Sequence, residues 1–200
     1  MQISIVQAET ADLPDFFTYL ERQLRENGVN GTPLFQPLSR NNTTIATQTQ
    51  QKFIDGVSAE FSDIGWRPLW LAKDAQGKIC GHIDLRRYME AYCSHRVRLG
   101  MGVEKECRKM GLGSRLIQSV LEFCQHHEQI MWLDLNVLSV NLAAKNLYLK
   151  HGFQIVGEMT DYYRIDQESI SELTMTLNTQ VGLGDQSLHT GHFYTVNQGM

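Results

Sequence analysis

The chain has 200 residues, 42% hydrophobic and 20% charged, a balance that suits one soluble globular domain with a real core. A net charge of −4 argues against a general nucleic-acid binder, which presents a basic surface. No apolar run approaches the ~18 residues of a membrane span, the start MQISIVQAET lacks the basic and apolar parts of a signal peptide, and the four cysteines form no CxxC pair. The expectation is a cytoplasmic protein with free thiols, no metal, no membrane anchor and no nucleic-acid partner.

Ile3 and Ile5 mark a first short strand. Thr10 or Asp12 caps a helix that tolerates Pro14 in its first turn and buries Leu13, Phe16, Phe17, Leu20 and Leu24. Asn27-Gly28 stops it. The segment from Gly28 to Ala46 is long and polar, and loops of that length inside a domain are functional or disordered. Its apolar island, Pro33 to Pro37, either packs on the core or lines a pocket, with Phe35 against a substrate. A second helix is expected from Gln48 to Phe61.

Pro68 to Lys73 reads as a strand, Asp74 to Gly77 as a turn, and Lys78 to Arg86 as another strand. Cys80, His82 and Asp84 alternate along one side of it. Residues two apart on a strand stand roughly 6.5–7 Å apart, beyond the ~3 Å reach that a nucleophile and its base require. The stripe therefore reads as a partly exposed polar face. Ser94 to Val103 is the next strand, with Gly100 and Gly102 alternating against Leu99, Met101 and Val103. Two such glycines weaken a strand unless something approaches closely or the strand bulges.

The stretch from Val103 to Leu121 organises the rest. The strand ends, a basic turn with Gly111 and Gly113 follows, and a helix begins whose Leu116, Ile117, Val120, Leu121 and Cys124 share one face. The first amides of a helix have no partner in the chain, and the helix dipole makes that end positive. Such a turn is a cradle for a diphosphate. It lacks the Gly-Lys-Ser/Thr of a P-loop and the third glycine of a dinucleotide fingerprint.

After this helix, Ile130 to Val137 is a buried strand. Asn141 caps a further helix carrying Ala143, Ala144, Leu147 and Tyr148 on one face, and Gly152 ends it. Phe153 to Arg164 and Ser171 to Leu177 form a hairpin across Asp166-Gln167-Glu168. The region 178–200 has no Lys or Arg and reads as a tail or an oligomer contact, with His192 to Val196 as a strand that could dock.

Two motifs then line up in order. Arg108-Lys109-Met110-Gly111-Leu112-Gly113 resembles the Arg-x-x-Gly-x-Gly acyl-CoA pyrophosphate loop of the GNAT superfamily of N-acetyltransferases. Asn141, Ala144, Leu147, Tyr148, Gly152 and Phe153 resemble that family's N-x-x-A-x-x-L-Y-x-x-x-G-F helix. Lys109 departs from the glycine most common there, a change the loop should tolerate. The resemblance spans residues 1–177. It implies an α/β (α+β) fold: a mixed, mostly antiparallel six- or seven-stranded sheet with helices on both faces and two splayed central parallel strands, here Ser94 to Val103 and Ile130 to Val137. It also implies acetyl-CoA as co-substrate. Backbone groups of Met101 and Val103 would meet the pantetheine, amides from Arg108, Lys109, Met110, Gly111, Leu112 and Gly113 to Ser114 the diphosphate, and Asn141 the cofactor arm.

The implied reaction is transfer of acetyl to a primary amine: a small molecule, a peptide N-terminus or a protein lysine. The Met101 amide would stabilise the oxyanion and Tyr148 would protonate the departing sulfur. Asp84, Glu90 and His95 are candidate bases acting through water. Two other readings stay open, a non-catalytic acyl-CoA sensor and an acyltransferase for a longer acyl chain. A homodimer is a further expectation.

Overall fold

The computed structural model describes residues 2–180. In chain order its elements are β1 (Ile3–Gln7), α1 (Leu13–Leu24), α2 (Thr47–Gly56), β2 (Leu69–Asp74), β3 (Ile79–Arg87), β4 (Arg96–Val103), α3 (Leu112–Gln125), β5 (Trp132–Leu138), α4 (Leu142–Lys150), β6 (Gln154–Ile165) and β7 (Glu168–Asn178). All seven strands join one sheet in the order β1-β2-β3-β4-β5-β7-β6. Every neighbouring pair is antiparallel except β4 and β5, the parallel pair in the middle. The fold expected from the sequence is the fold found. The expected tail, including the docking strand His192 to Val196, lies beyond residue 180 and so outside the described residues. Among the described residues no helix is long and apolar enough to cross a membrane.

One face of the sheet packs α3 through the five residues its period selected, Leu116, Ile117, Val120, Leu121 and Cys124, together with Tyr148 of α4. The opposite face takes Leu13, Phe16 and Tyr19 of α1 and Phe53 of α2. Burying each large apolar side chain here contributes about 1.5–3 kcal/mol. The second helix stops at Gly56, short of the expected Phe61. A Cβ at Gly56 would lie 2.4 Å from the carbonyl of Gly65, and the Gly56 carbonyl accepts from Arg67 N at 2.9 Å. The returning chain thus crosses the helix end and takes its carbonyl, so the helix cannot continue.

The polar stripe of β3 is buried, which corrects the partly exposed face expected for it. His82 and Asp84 are 8% and 2% exposed. His82 lies under α1 against Phe16 and Tyr19, Asp84 lies beside Arg67, and their registry partners on β4 are Gly102 and Gly100. A Cβ at Gly102 would come within 2.9 Å of the His82 ring, and one at Gly100 within 2.7 Å of an Asp84 oxygen. The close approach that the alternating glycines demanded comes from the neighbouring strand.

The long loop after α1 is ordered by one buried side chain. Asn27 Oδ1 accepts from the amides of Phe35 and Gln36 at 2.8 and 2.9 Å, and its Nδ2 donates to the carbonyls of Gln36 and Leu38. Arg40 then clamps the loop to the β6–β7 turn through Asp166 and Glu168, each within 3.2 Å. Leu34 is buried against Leu138, Ile165 and Ile170, so the apolar island packs at Leu34 and stays half-buried at Phe35.

Candidate functional site

The parallel pair is short. Its ladder holds three rungs, Arg96↔Trp132, Val97↔Leu133 and Arg98↔Asp134. Beyond them β4 from Leu99 to Val103 pairs only with β3, while β5 from Leu135 to Leu138 pairs only with β7. A knot of charge sits at the point of parting. Asp134 accepts from Arg96 Nε at 2.8 Å, Arg96 Nη2 at 2.5 Å, Thr176 Oγ1 at 2.6 Å and Tyr88 Oη at 2.9 Å. Burial would raise this carboxyl, but the bonds from Arg96, Thr176 and Tyr88 outweigh it and hold the group below its ordinary range.

The parted limb of β4 offers backbone. Glu104 N donates to Cys80 O at 2.9 Å, and an antiparallel ladder alternates bonded and non-bonded pairs. Met101, three rungs away and so in odd register opposite Ile83, therefore turns its peptide groups away from β3, toward the gap. Val103 shares that orientation, but its carbonyl is occupied by Arg108 Nε at 3.0 Å.

The turn after β4 bends through left-handed backbone. Lys109 has φ +61° and Gly111 φ +77°. Glycine adopts that region freely, whereas a side chain there costs roughly 1–2 kcal/mol, so Lys109 is tolerated with strain. Gly111 has open space around it. Gly113 serves packing instead: a Cβ there would meet Leu147 of α4 at 2.7 Å. The Arg108 amide bonds Lys105 O at 3.3 Å. The amides of Lys109, Met110, Gly111, Leu112, Gly113 and Ser114 find no acceptor among the described residues, and Arg115 N makes the first helical bond, to Gly111 O. The Arg108 guanidinium pairs with Glu26 at 3.2 Å and lies 6.0 Å from the centre of the Phe35 ring. Arg115 reaches the Ile3 carbonyl on β1 at 2.7 Å, so its charge points away from the turn.

On α4, Asn141 caps the helix as expected, its Oδ1 accepting from Ala144 N at 3.2 Å. That oxygen is spent on the cap; the Asn141 amide hydrogens are not. Tyr148 is 6% exposed, edge-on to Phe153 at 5.6 Å between centroids. No described residue bonds its hydroxyl. Burial alone pushes the phenol well up, so it keeps its proton.

The candidate bases fare differently. Asp84 is locked to Arg67 at 2.8 Å and Arg86 at 3.4 Å. Burial opposes ionisation there, but those cations win and hold the carboxyl low, which makes it a poor base. Glu90 and His95 are exposed and precede β4, at the paired end and not beside the gap. His82 bonds Tyr19 Oη at 3.1 Å, so the Cys80-His82-Asp84 stripe forms no triad. One group escaped the sequence reading. Glu172 of β7 is 9% exposed and accepts from Tyr163 Oη at 3.0 Å and Asn136 Nδ2 at 2.9 Å. The signal was available: it is the sole acid in the strand SELTMTL.

Comparison with known proteins agrees with this architecture. The acetyltransferase (GNAT) family model matches residues 40–153. The L-amino acid N-acetyltransferase AaaT of Escherichia coli K12 is 27% identical over 43% of this chain and 53% of its own length. N-alpha-acetyltransferase 20 of Dictyostelium discoideum is 28% identical over 51% of this chain and 59% of its own. The matches thus span little more than half of those relatives. A GNAT-family acetyltransferase structure from Streptococcus pneumoniae superposes with TM-score 0.74 at 24% identity, covering 88% of this chain and 99% of that one. The acetyltransferase yncA of Salmonella typhimurium, solved with acetyl-CoA, gives 0.72 at 14% identity over 94% of this chain and all of its own. At these identities the two structures bear on the fold alone.

Proposed function

The chain belongs to the acetyltransferase (GNAT) family, and from that membership we propose that it transfers acetyl from acetyl-CoA to a primary amine by direct attack on the thioester. One observation carries the reading: the parallel pair opens after three rungs and its open limb leads into a turn of unpartnered amides. Amides at a helix start attract phosphate oxygens. Those of Lys109 to Ser114 would hold the diphosphate, with Gly111 leaving room for its approach. Arg108 acts on the turn itself, tying Val103 to Glu26. Peptide groups of Met101, and the free Val103 N–H, would meet the pantetheine, and the Asn141 amide would reach the arm.

Bound acetyl-CoA supplies an activated acyl group; the chain's own residues supply the rest. The Met101 N–H is assigned to the oxygen that gains charge on attack, where a fixed donor is most effective. The Tyr148 hydroxyl, protonated and without a partner among the described residues, is assigned to the departing sulfur. Phe35, half-buried beside Arg108, is assigned to the substrate wall. A lysine-like amine must shed a proton at a cost of ~4.6 kcal/mol at pH 7, an α-amine only ~1 kcal/mol. The acceptor class stays as broad as small molecule, peptide N-terminus or lysine; relatives named for amino-acid and N-alpha acetylation support an amine in general. Thiols, three of the four buried, suit a cytoplasmic enzyme. Exposed Ile155, Val156 and Met159 on edge strand β6 support a homodimer, which sedimentation velocity would show.

A thiol-release screen with acetyl-CoA and varied amines, run beside thermal shift, tests the function. Amine-dependent release is expected. Tight acetyl-CoA binding with no release on any amine would leave an acyl-CoA sensor instead, and release only from longer acyl-CoAs would change the donor.

A further inference from the structure

Four carboxylates are buried among the described residues: Asp84, Glu104, Asp134 and Glu172. Three have an arginine. Arg67 stands 2.8 Å from Asp84, Arg22 3.3 Å from Glu104 and Arg96 2.5 Å from Asp134. Glu172 pairs with no cation of the described residues; Tyr163 and Asn136 give it one neutral hydrogen bond per oxygen. An ionised carboxylate can accept about four bonds. Burying its charge against neutral donors alone is costly. The fold does not require that charge, since a glutamine would accept from Tyr163 as well.

The location is specific. Asn136 lies on β5 two residues past Asp134, the last rung shared with β4, and Glu172 pairs with Leu138 farther along the same parted limb. Leu133, Leu135 and Val137 point into the α3 core, so Asn136 and Glu172 look out on the other face. There Asn136 stays exposed while Glu172 is buried, and the long loop packs alongside: Leu34 meets Leu138 and Tyr163, and Arg40 fastens the loop to Asp166 and Glu168. The carboxylate therefore sits between the open limb of β5 and the clamped loop, on the face opposite α3 and α4.

We propose that Glu172 is the counter-charge for a cationic acceptor, receiving the ammonium of an incoming amine at the edge of the parted strands. This rests on the acetyl-transfer reading and narrows its substrate class. Acceptors that arrive with an ammonium are preferred, and their uncharged isosteres are rejected. Tyr163 and Asn136 orient the carboxylate and leave its remaining lone pairs to the ligand.

The test measures binding apart from turnover. Calorimetry on the full chain with CoA present compares an alkylammonium, an amino-acid amide and a lysine peptide with their hydroxyl isosteres, for wild type, Glu172→Gln and Glu172→Asp. Wild type should bind at least one ammonium more tightly than its isostere. Glu172→Gln should weaken that binding roughly tenfold to a hundredfold, the scale of a lost charged hydrogen bond, with acetyl-CoA affinity unchanged. Glu172→Asp should retain part of the preference, and it carries the comparison if the glutamine variant folds poorly. Equal ammonium binding by wild type and variants overturns the inference, as does no ammonium binding by wild type at all. Ammonium binding that depends on Glu172 without acetyl transfer would instead sink the proposed reaction and leave Glu172's role standing.

Discussion

Tyr148 poses a clean question because its hydroxyl supports nothing else among the described residues. The ring packs edge-on to Phe153, an apolar contact that phenylalanine reproduces, and no described side chain or carbonyl bonds the oxygen. Removing a hydroxyl that bonds no described group costs little stability. Tyr148→Phe should therefore leave the melting temperature and the acetyl-CoA affinity near wild type. If the hydroxyl protonates the leaving sulfur, kcat should fall by roughly a hundredfold, the low end for a positioned acid. An unchanged kcat in steady-state assays would remove Tyr148 from the mechanism. Lys109 poses the opposite kind of question. Its left-handed φ accounts for the glycine usual at that place in the motif, and only the backbone angle, invisible in the sequence, reveals the strain.

At the scale of the strand, the glycines of β4 separate two explanations that sequence left equal. Alternation at Gly100 and Gly102 signalled a close approach; it did not say by what. The answer needed the β3–β4 register, a non-local fact, and it places His82 and Asp84 over the two glycines. The His82 ring is held by Tyr19 Oη and packed against Phe16, so it has little room to yield to a new methyl. Gly102→Ala should lower stability by about 1–3 kcal/mol, the cost of overpacking a filled core. Gly157 on β6, with nothing near its missing Cβ, is the control: Gly157→Ala should change stability by less than ~0.5 kcal/mol in denaturant titrations. Equal changes at both would mean that contact with His82 does not govern the effect. The same locality explains what was legible. Periodicity found α3 and its five buried residues, and the turn and α4 motifs named the candidate site, because each is written in neighbouring residues. The covering of His82 by α1, the crossing that stops α2 at Gly56 and the buried Glu172 depend on which distant segments meet.

Across the whole molecule, acid sensitivity should be set first by the histidine between α1 and the sheet. Burial drives His82 from its ordinary 6.5 down to about 4, with Arg67 and Arg86 acting in the same sense and Asp84 against them. The native state therefore binds fewer protons than the unfolded chain over that interval, and stability must fall as pH falls. The loss begins near pH 6.5 and is complete near pH 4, amounting to about 2 kcal/mol between pH 7 and pH 5. The paired carboxyls act in another window. Asp84 and Asp134 are held below their ordinary 3.8, so the stability they contribute is lost only at still lower pH. His151, half-buried and also lowered by burial, adds a loss of the same sign as His82, which is why a variant is needed to separate the two. His82→Gln removes the titrating ring while keeping a group able to bond Tyr19. Urea midpoints at pH 7, 6 and 5 should fall steeply for the wild type and far less for the variant. Parallel curves would assign the proton uptake elsewhere, and would mean that the layer under α1 is more open to water than its packing indicates.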